Sequence, residues 1–268
     1  MSADVHTMKK IAPTVAAVLG LKKPGAAAES PIDAMVADLA GSCRLAILAP
    51  DALGVLPWRL WRDRMPFLSS LHDTRSIVLE SVMPPITPVN FACMLTGAEL
   101  AVHGIDKPYQ RDDGWIDFQC ETLYDVVRDA GGQSAGAGQQ GYTGELLLAR
   151  CADLAWVAER GPAATVRDLI ESKYDDALPM FLIAQFGNVD STFHRLGPSD
   201  PEVVPMLEEL DRTLQGLTEF LTRAGTDIIF LADHGQHDIL DPAQSGKRGA
   251  HNTDTPEDRQ VPCTWVKA

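Results

Sequence analysis

Two apolar runs, Met180-Phe-Leu-Ile-Ala-Gln-Phe186 and Asp227-Ile-Ile-Phe-Leu-Ala232, bracket the helical stretch Pro201–Arg223. Each run is short, continuous and bounded by polar or turn residues, the pattern of a strand covered on both faces. Between them, Val204, Leu207, Leu210, Leu214, Leu217 and Leu221 recur at steps of three and four, and Gly225 follows the end. Arg44–Pro50, Ser76–Val82 and Val261–Val266 read as further buried strands, and Gln119–Ala130 as a helix closed by Gly131-Gly132. Such alternation predicts an α/β fold, a mostly parallel central sheet with helices on both faces, in a single domain spanning residues 1–268. The Gly-rich piece Gly131–Gly141 is expected to be a helix stop, a small-residue strand and a loop. Tyr142–Asp176 is expected to hold two helices lying over the site.

The 268 residues carry 37 Asp+Glu against 23 Lys+Arg, a formal net charge of −14. A duplex nucleic-acid partner is excluded, because a phosphate backbone is held by clustered cations. With 45% hydrophobic and 22% charged residues the balance is that of a folded chain. Cys43, Cys93, Cys120, Cys151 and Cys263 are scattered with no CxxC pair, which argues against a disulfide framework or a thiolate zinc knuckle and suits a cytoplasmic setting. No apolar run approaches the roughly 18 residues a membrane span needs. Lys9-Lys10 and the apolar Ile11–Leu21 mimic a signal peptide, yet Pro13 and Thr14 interrupt the run and Lys22-Lys23 end it. A helix of the folded domain, with Pro13 in its first turn, is expected instead.

Ligands of an open α/β sheet collect beyond the carboxyl ends of its strands. There the sequence places Asp51 after the first strand, and Asp190-Ser-Thr-Phe-His194 after MFLIAQF. Asp233-His234-Gly235 follows DIIFLA, and His251 precedes the last strand. Singly, each is more often a cap, a turn former or a structural histidine. Together, three carboxylates and three imidazoles form the donor set of two divalent ions, each with three protein ligands and open positions. Thr87, after the second strand at a strand-to-helix junction, is the candidate nucleophile; it also satisfies the pattern of a helix N-cap with Pro88 at N1. His103 is read as structural, Cys93, Trp58 and Trp61 as core, and Lys247 and Arg248 as solvated loop charge. For His237, support of the site and an exposed loop position both stand.

These residues carry a resemblance. Thr87-Pro-Val-Asn90, Leu95-Thr-Gly97 and His103-Gly-Ile105 resemble the nucleophile segment of the alkaline phosphatase superfamily, in its nucleotide pyrophosphatase/phosphodiesterase branch. Asp190-Ser-Thr-Phe-His194-Arg-Leu-Gly-Pro198 is similar to that branch's aspartate–histidine metal motif, and Ala232-Asp-His-Gly235 to its second. His251 with Thr253-Asp254-Thr255-Pro256-Glu257 resembles the closing segment. The resemblance implies Asp190, His194 and His251 on one ion, and Asp51, Thr87, Asp233 and His234 on the other. It further implies zinc, with manganese as the alternative, and a bond from Asn90 to a phosphoryl oxygen. The activity implied is hydrolysis of small phosphorylated substrates, phosphodiesters or nucleotide pyrophosphates, through a phosphothreonine. The alternatives are a phosphomonoesterase, a phosphonate hydrolase or a phosphomutase, and, in another class, a catalytically silent metal- or phosphate-binding protein. Thr87-Pro88-Val89 does not supply the Cys or Ser that a sulfatase converts. Ile11–Leu21 resembles the helix that normally follows the superfamily's final strand, so a circularly permuted order with adjacent chain ends is expected.

Overall fold

The computed structural model describes residues 5–107, 117–241 and 246–268. Its core is an eight-stranded sheet. In chain order the strands are β1 (Val5–Thr7), β2 (Leu45–Pro50), β3 (Ile77–Glu80), β4 (Ser134–Gln139), β5 (Leu154–Ala158), β6 (Phe181–Phe186), β7 (Asp227–Leu231) and, after the two-residue strands β8 (His237–Asp238) and β9 (Gly249–Ala250), β10 (Gln260–Val266). The spatial order is β1-β3-β10-β7-β2-β6-β4-β5, and β8 pairs with β9 in a separate ribbon. Every pairing in the large sheet is parallel except those of β10, which runs antiparallel to both β3 and β7. The mostly parallel α/β sheet expected from the sequence is therefore present.

β2, β6 and β7 are buried along their whole length, which explains their unbroken apolar sequences. Helix Val204–Arg223 lays Leu207, Leu210, Leu214, Leu217 and Leu221 into the core and packs on β7 and on helices Pro66–Thr74 and Ala164–Ala177. Helices Ile11–Val18, Thr87–Thr96 and Leu123–Asp129 make a second packed group. Ile11–Val18 is buried almost throughout, with Pro13 in its first turn, so its apolar character serves the core. Trp58 and Cys93 are core residues as well. Among the described residues no helix is long and apolar enough to cross a membrane.

One expectation needs correction. Tyr142–Asp176 does not hold two helices alone: the edge strand β5 lies between the helical turn Gly144–Ala149 and helix Ala164–Ala177. An edge strand pairs on one side only, here with β4, and its five residues carry too little pattern to declare themselves. The small-residue strand β4 is as expected, and its composition has a steric cause. A side chain at Gly136 would place its Cβ 2.1 Å from the Leu148 carbonyl oxygen, because the turn Gly144–Ala149 lies directly on this strand.

Since β1 runs with β3 and β10 against it, Val5 and the end of β10 lie at the same end of the sheet. The opposite end, where the parallel strands finish, carries the site.

Candidate active site

Asp51 follows the last residue of β2, and Asp233 and His234 follow β7. Asp190 occupies the first turn of helix Asn188–Leu196 after β6, and His194 its last turn. His251 comes in on the segment between β9 and β10. Packing of the strand ends brings these six residues into two clusters, Asp190–His194–His251 and Asp51–Asp233–His234, within each of which the donor atoms lie within 4.8 Å of one another. The clusters adjoin, for the rings of His234 and His251 stack with centroids 4.0 Å apart.

Each imidazole is held by its Nδ1. That atom meets the carbonyl of Gly249 at 2.8 Å in His194, of Gly235 at 3.0 Å in His234 and of Pro85 at 2.9 Å in His251. Nδ1 must be the donor in each case, which leaves Nε2 as a lone-pair acceptor turned to the carboxylates. His234 Nε2 lies 3.2 Å from Asp233 Oδ2, and His194 Nε2 lies 3.5 Å from Asp190 Oδ1. The carboxylates are divided in the same way. Asp51 Oδ2 accepts from Gln185 and Asp233 Oδ1 from the Ala52 N–H, while Asp51 Oδ1 and Asp233 Oδ2 are buried with no partner. Two bare, buried carboxylate oxygens beside an imidazole acceptor fit a cation, because leaving them unpaired costs several kcal/mol.

Electrostatics agree. Burial first, then the charges of Asp233 and Asp190, drive the Asp51 carboxyl well above its ordinary range. Burial also raises Asp190, and burial with the adjacent imidazoles pushes His251 down to about 2. The ion pairs formed by the three carboxylates among the described residues are with histidines. Without cations the site thus works against its own charges. The mixed carboxylate and imidazole set, without thiolates, suits zinc or manganese.

Thr87 Oγ1 lies 3.1 Å from His234 Nε2, at the edge of the Asp51 cluster. Ile86, not Thr87, occupies the N-cap, Thr87 is the first helical residue, and its hydroxyl makes no capping bond. The hydroxyl is thus turned to His234 at the positive end of the helix.

Asn90 corrects the expectation. It is fully buried; its Oδ1 accepts from the Val82 N–H at 2.8 Å, and its Nδ2 donates to the carbonyls of Val82, Pro84 and Ile86. Its amide braces the loop that precedes Thr87 and presents the Pro85 carbonyl to His251; it does not face the clusters. His237 Nδ1 donates to buried Asp258 at 2.7 Å, and Asp258 also accepts from Thr253. This bond ties the loop after β7 to the segment after His251, a supporting role. Arg248 is exposed, with Asp200 3.9 Å away. His103 is buried and accepts from the Ile105 N–H, which makes it structural. Gln185 and Gln236, each bonded to a cluster carboxylate, were not foreseen. The available signal was a lone polar residue near the rim end of MFLIAQF, and a second just beyond Asp233-His234-Gly235.

Known proteins resemble this chain over part of the sequence and in fold. The family model described as type I phosphodiesterase / nucleotide pyrophosphatase matches residues 139–255. No curated protein sequence matches the chain. Its fold is similar to phosphonoacetate hydrolase from Sinorhizobium meliloti 1021 in complex with phosphonoacetate, with 19% identity, TM-score 0.55, and coverage of 72% of this chain and 56% of that one. The chain thus spans just over half the length of that hydrolase. It is also similar to murine ectonucleotide pyrophosphatase / phosphodiesterase 5, with 12% identity, TM-score 0.62, and coverage of 82% and 87%. That mouse protein is also known as an inactive threonine-to-alanine variant in complex with AMP. The sequence over residues 139–255 is thus similar to type I phosphodiesterases / nucleotide pyrophosphatases, and the fold is shared with these neighbours.

Proposed function

We propose that the protein is a metal-dependent hydrolase of phosphodiesters or nucleotide pyrophosphates that uses Thr87 as its nucleophile. The observation that carries this reading is the Thr87 hydroxyl, unspent on capping and 3.1 Å from His234 Nε2 beside two bare carboxylate oxygens. Asp190, His194 and His251 would hold one ion, and Asp51, Asp233 and His234 with Thr87 the other, zinc first and manganese second. Such ions, when bound, supply Lewis-acid charge that lowers the hydroxyl pKa and balances negative charge on the phosphoryl oxygens. The chain's own part is placement. The helix that begins at Thr87 aims the hydroxyl out of the sheet rim with its positive end behind it. Oγ1 forms a bond to phosphorus, the bond to the leaving oxygen breaks, and water then cleaves the phosphothreonine to restore Thr87. The inactivity of the mouse neighbour's threonine variant supports a threonine in this role.

A phosphonate hydrolase is the second reading, favoured by the likeness to the phosphonoacetate enzyme. The test compares a chromogenic bis-aryl phosphodiester, the matching monoester and phosphonoacetate, with zinc and with manganese. The diester is expected to have the highest kcat/KM, and Thr87→Ala to lower it at least about a thousandfold. Unchanged turnover in Thr87→Ala rejects the nucleophile, and preference for phosphonoacetate selects the second reading. An intact chain that turns over none of the three is a silent binder.

A further inference from the structure

We infer that Gln185 and Gln236 are positioning residues that cross-brace the two clusters, each lying on the chain segment of one cluster and holding a carboxylate of the other. The inference rests on the metal reading given above. Gln185 is the penultimate residue of β6, the strand that leads into Asp190 and His194, yet its Nε2 donates to Asp51 of the other cluster. Gln236 follows Asp233 and His234, yet its Nε2 donates to Asp190 Oδ1 at 2.5 Å. Both side chains are closed off from solvent, at 1% and 0% exposure.

A carboxamide suits this position because it supplies a donor without a charge. It occupies one carboxylate oxygen, fixes the plane of the group and adds no cation to compete with the ion. At Asp51 the division is explicit: Oδ2 takes the Gln185 bond and Oδ1 is left bare. Gln185 is itself anchored, its Oε1 accepting from the Gly144 N–H at the start of the turn lying on β4. Gln236 Oε1 is buried without a partner. An unpaired buried carbonyl is destabilising, so Gln236 is poorly explained as a stability element and well explained by its bond to Asp190.

The crossed arrangement gives a test that a structural role does not pass. Zinc chloride and manganese chloride are titrated calorimetrically into chelator-stripped protein in two backgrounds. His194→Ala leaves the Asp51–Asp233–His234 cluster complete, and Asp233→Ala leaves Asp190–His194–His251 complete. Gln185→Met is expected to weaken the remaining ion about 10- to 100-fold in the His194→Ala background. In the Asp233→Ala background it should change affinity by less than about twofold. Gln236→Met should show the reverse. Damage confined to each glutamine's own segment would give the opposite pattern, and that pattern, or no change in either background, overturns the inference. Near-UV circular dichroism checks folding, and Gln185→Glu and Gln236→Glu, which keep the side-chain length, carry the same comparison if a Met variant does not fold. An unaltered chain that binds neither metal overturns the metal reading and this inference with it, a result distinct from a wrong pattern among variants.

Discussion

Asp233 shows how a residue can be wrong for the bare protein and right for the loaded one. Its Oδ2 is buried, unpartnered, 3.2 Å from His234 Nε2 and close enough to Asp51 to push that carboxyl upward. In Asp233→Asn, Oδ1 keeps the Ala52 N–H and the new amide donates to His234 Nε2, while a like-charge contact disappears. The metal-free variant should therefore be more stable than the parent by about 1 kcal/mol and, on the proposed metal reading, should gain less from added zinc than the parent does. Thermal unfolding in chelator and in zinc measures both; a variant less stable than the parent in chelator would show that Asp233 is not strained. Asn90 teaches the converse. The resemblance of Thr87-Pro-Val-Asn90 to the nucleophile segment implies a bond from its amide to a phosphoryl oxygen. The loop Val82–Ile86 has carbonyls outside the sheet ladder, and the buried amide is drawn to them.

Elements in this protein are tied by side chains reaching across them. Asp211, buried on helix Val204–Arg223, accepts the N–H groups of Phe67 and Leu68 at 2.9 Å each and so caps helix Pro66–Thr74 from outside. Asp211→Ala leaves two first-turn donors unpaired in a dry environment. It should cost about 2 kcal/mol and lower the unfolding midpoint by roughly 5 °C without changing zinc affinity. A loss of metal binding in this variant would mean that the helix pair reaches the site. Element existence was legible wherever apolar pattern was long, as in β2, β6, β7 and the helix between the last two. β5 escaped because a five-residue edge strand has no pattern beyond its length, and β1, three residues long, because it has less still.

For the molecule as a whole, buried histidines outside the site couple stability to pH. Burial lowers His103 from 6.5 to about 4, and the ring accepts the Ile105 N–H only when neutral. Between those values the unfolded chain binds a proton that the folded chain does not, so this stability is complete above pH 6.5 and is lost as pH falls toward 4. His103→Gln does not titrate. Its deficit relative to the parent should be largest near neutral pH and shrink as pH drops to 4, as denaturant unfolding at several pH values would show; a deficit independent of pH would place the His103 pKa at its ordinary value. The packing of Gly235 against the Glu257 carbonyl, where a Cβ would come within 2.0 Å, is a constraint at this same scale. It presses the loop after β7 onto the segment before β10, and no local signal announces it.

The sequence by itself determined the alternation of strands and helices, and hence a parallel sheet whose carboxyl rim gathers Asp51, Thr87, Asp190, His194, Asp233, His234 and His251. It could do so because hydrophobic period and strand-end position are local properties of the chain. The grouping of these residues into two clusters is already implied by the resemblance. The tertiary structure alone decided which oxygens of Asp51 and Asp233 stay bare, that Asn90 turns to a loop, and that Gln185 and Gln236 hold acids far from them in sequence. Those outcomes depend on which buried donor meets which buried acceptor once strands from distant parts of the chain are packed side by side, and no single segment carries that information.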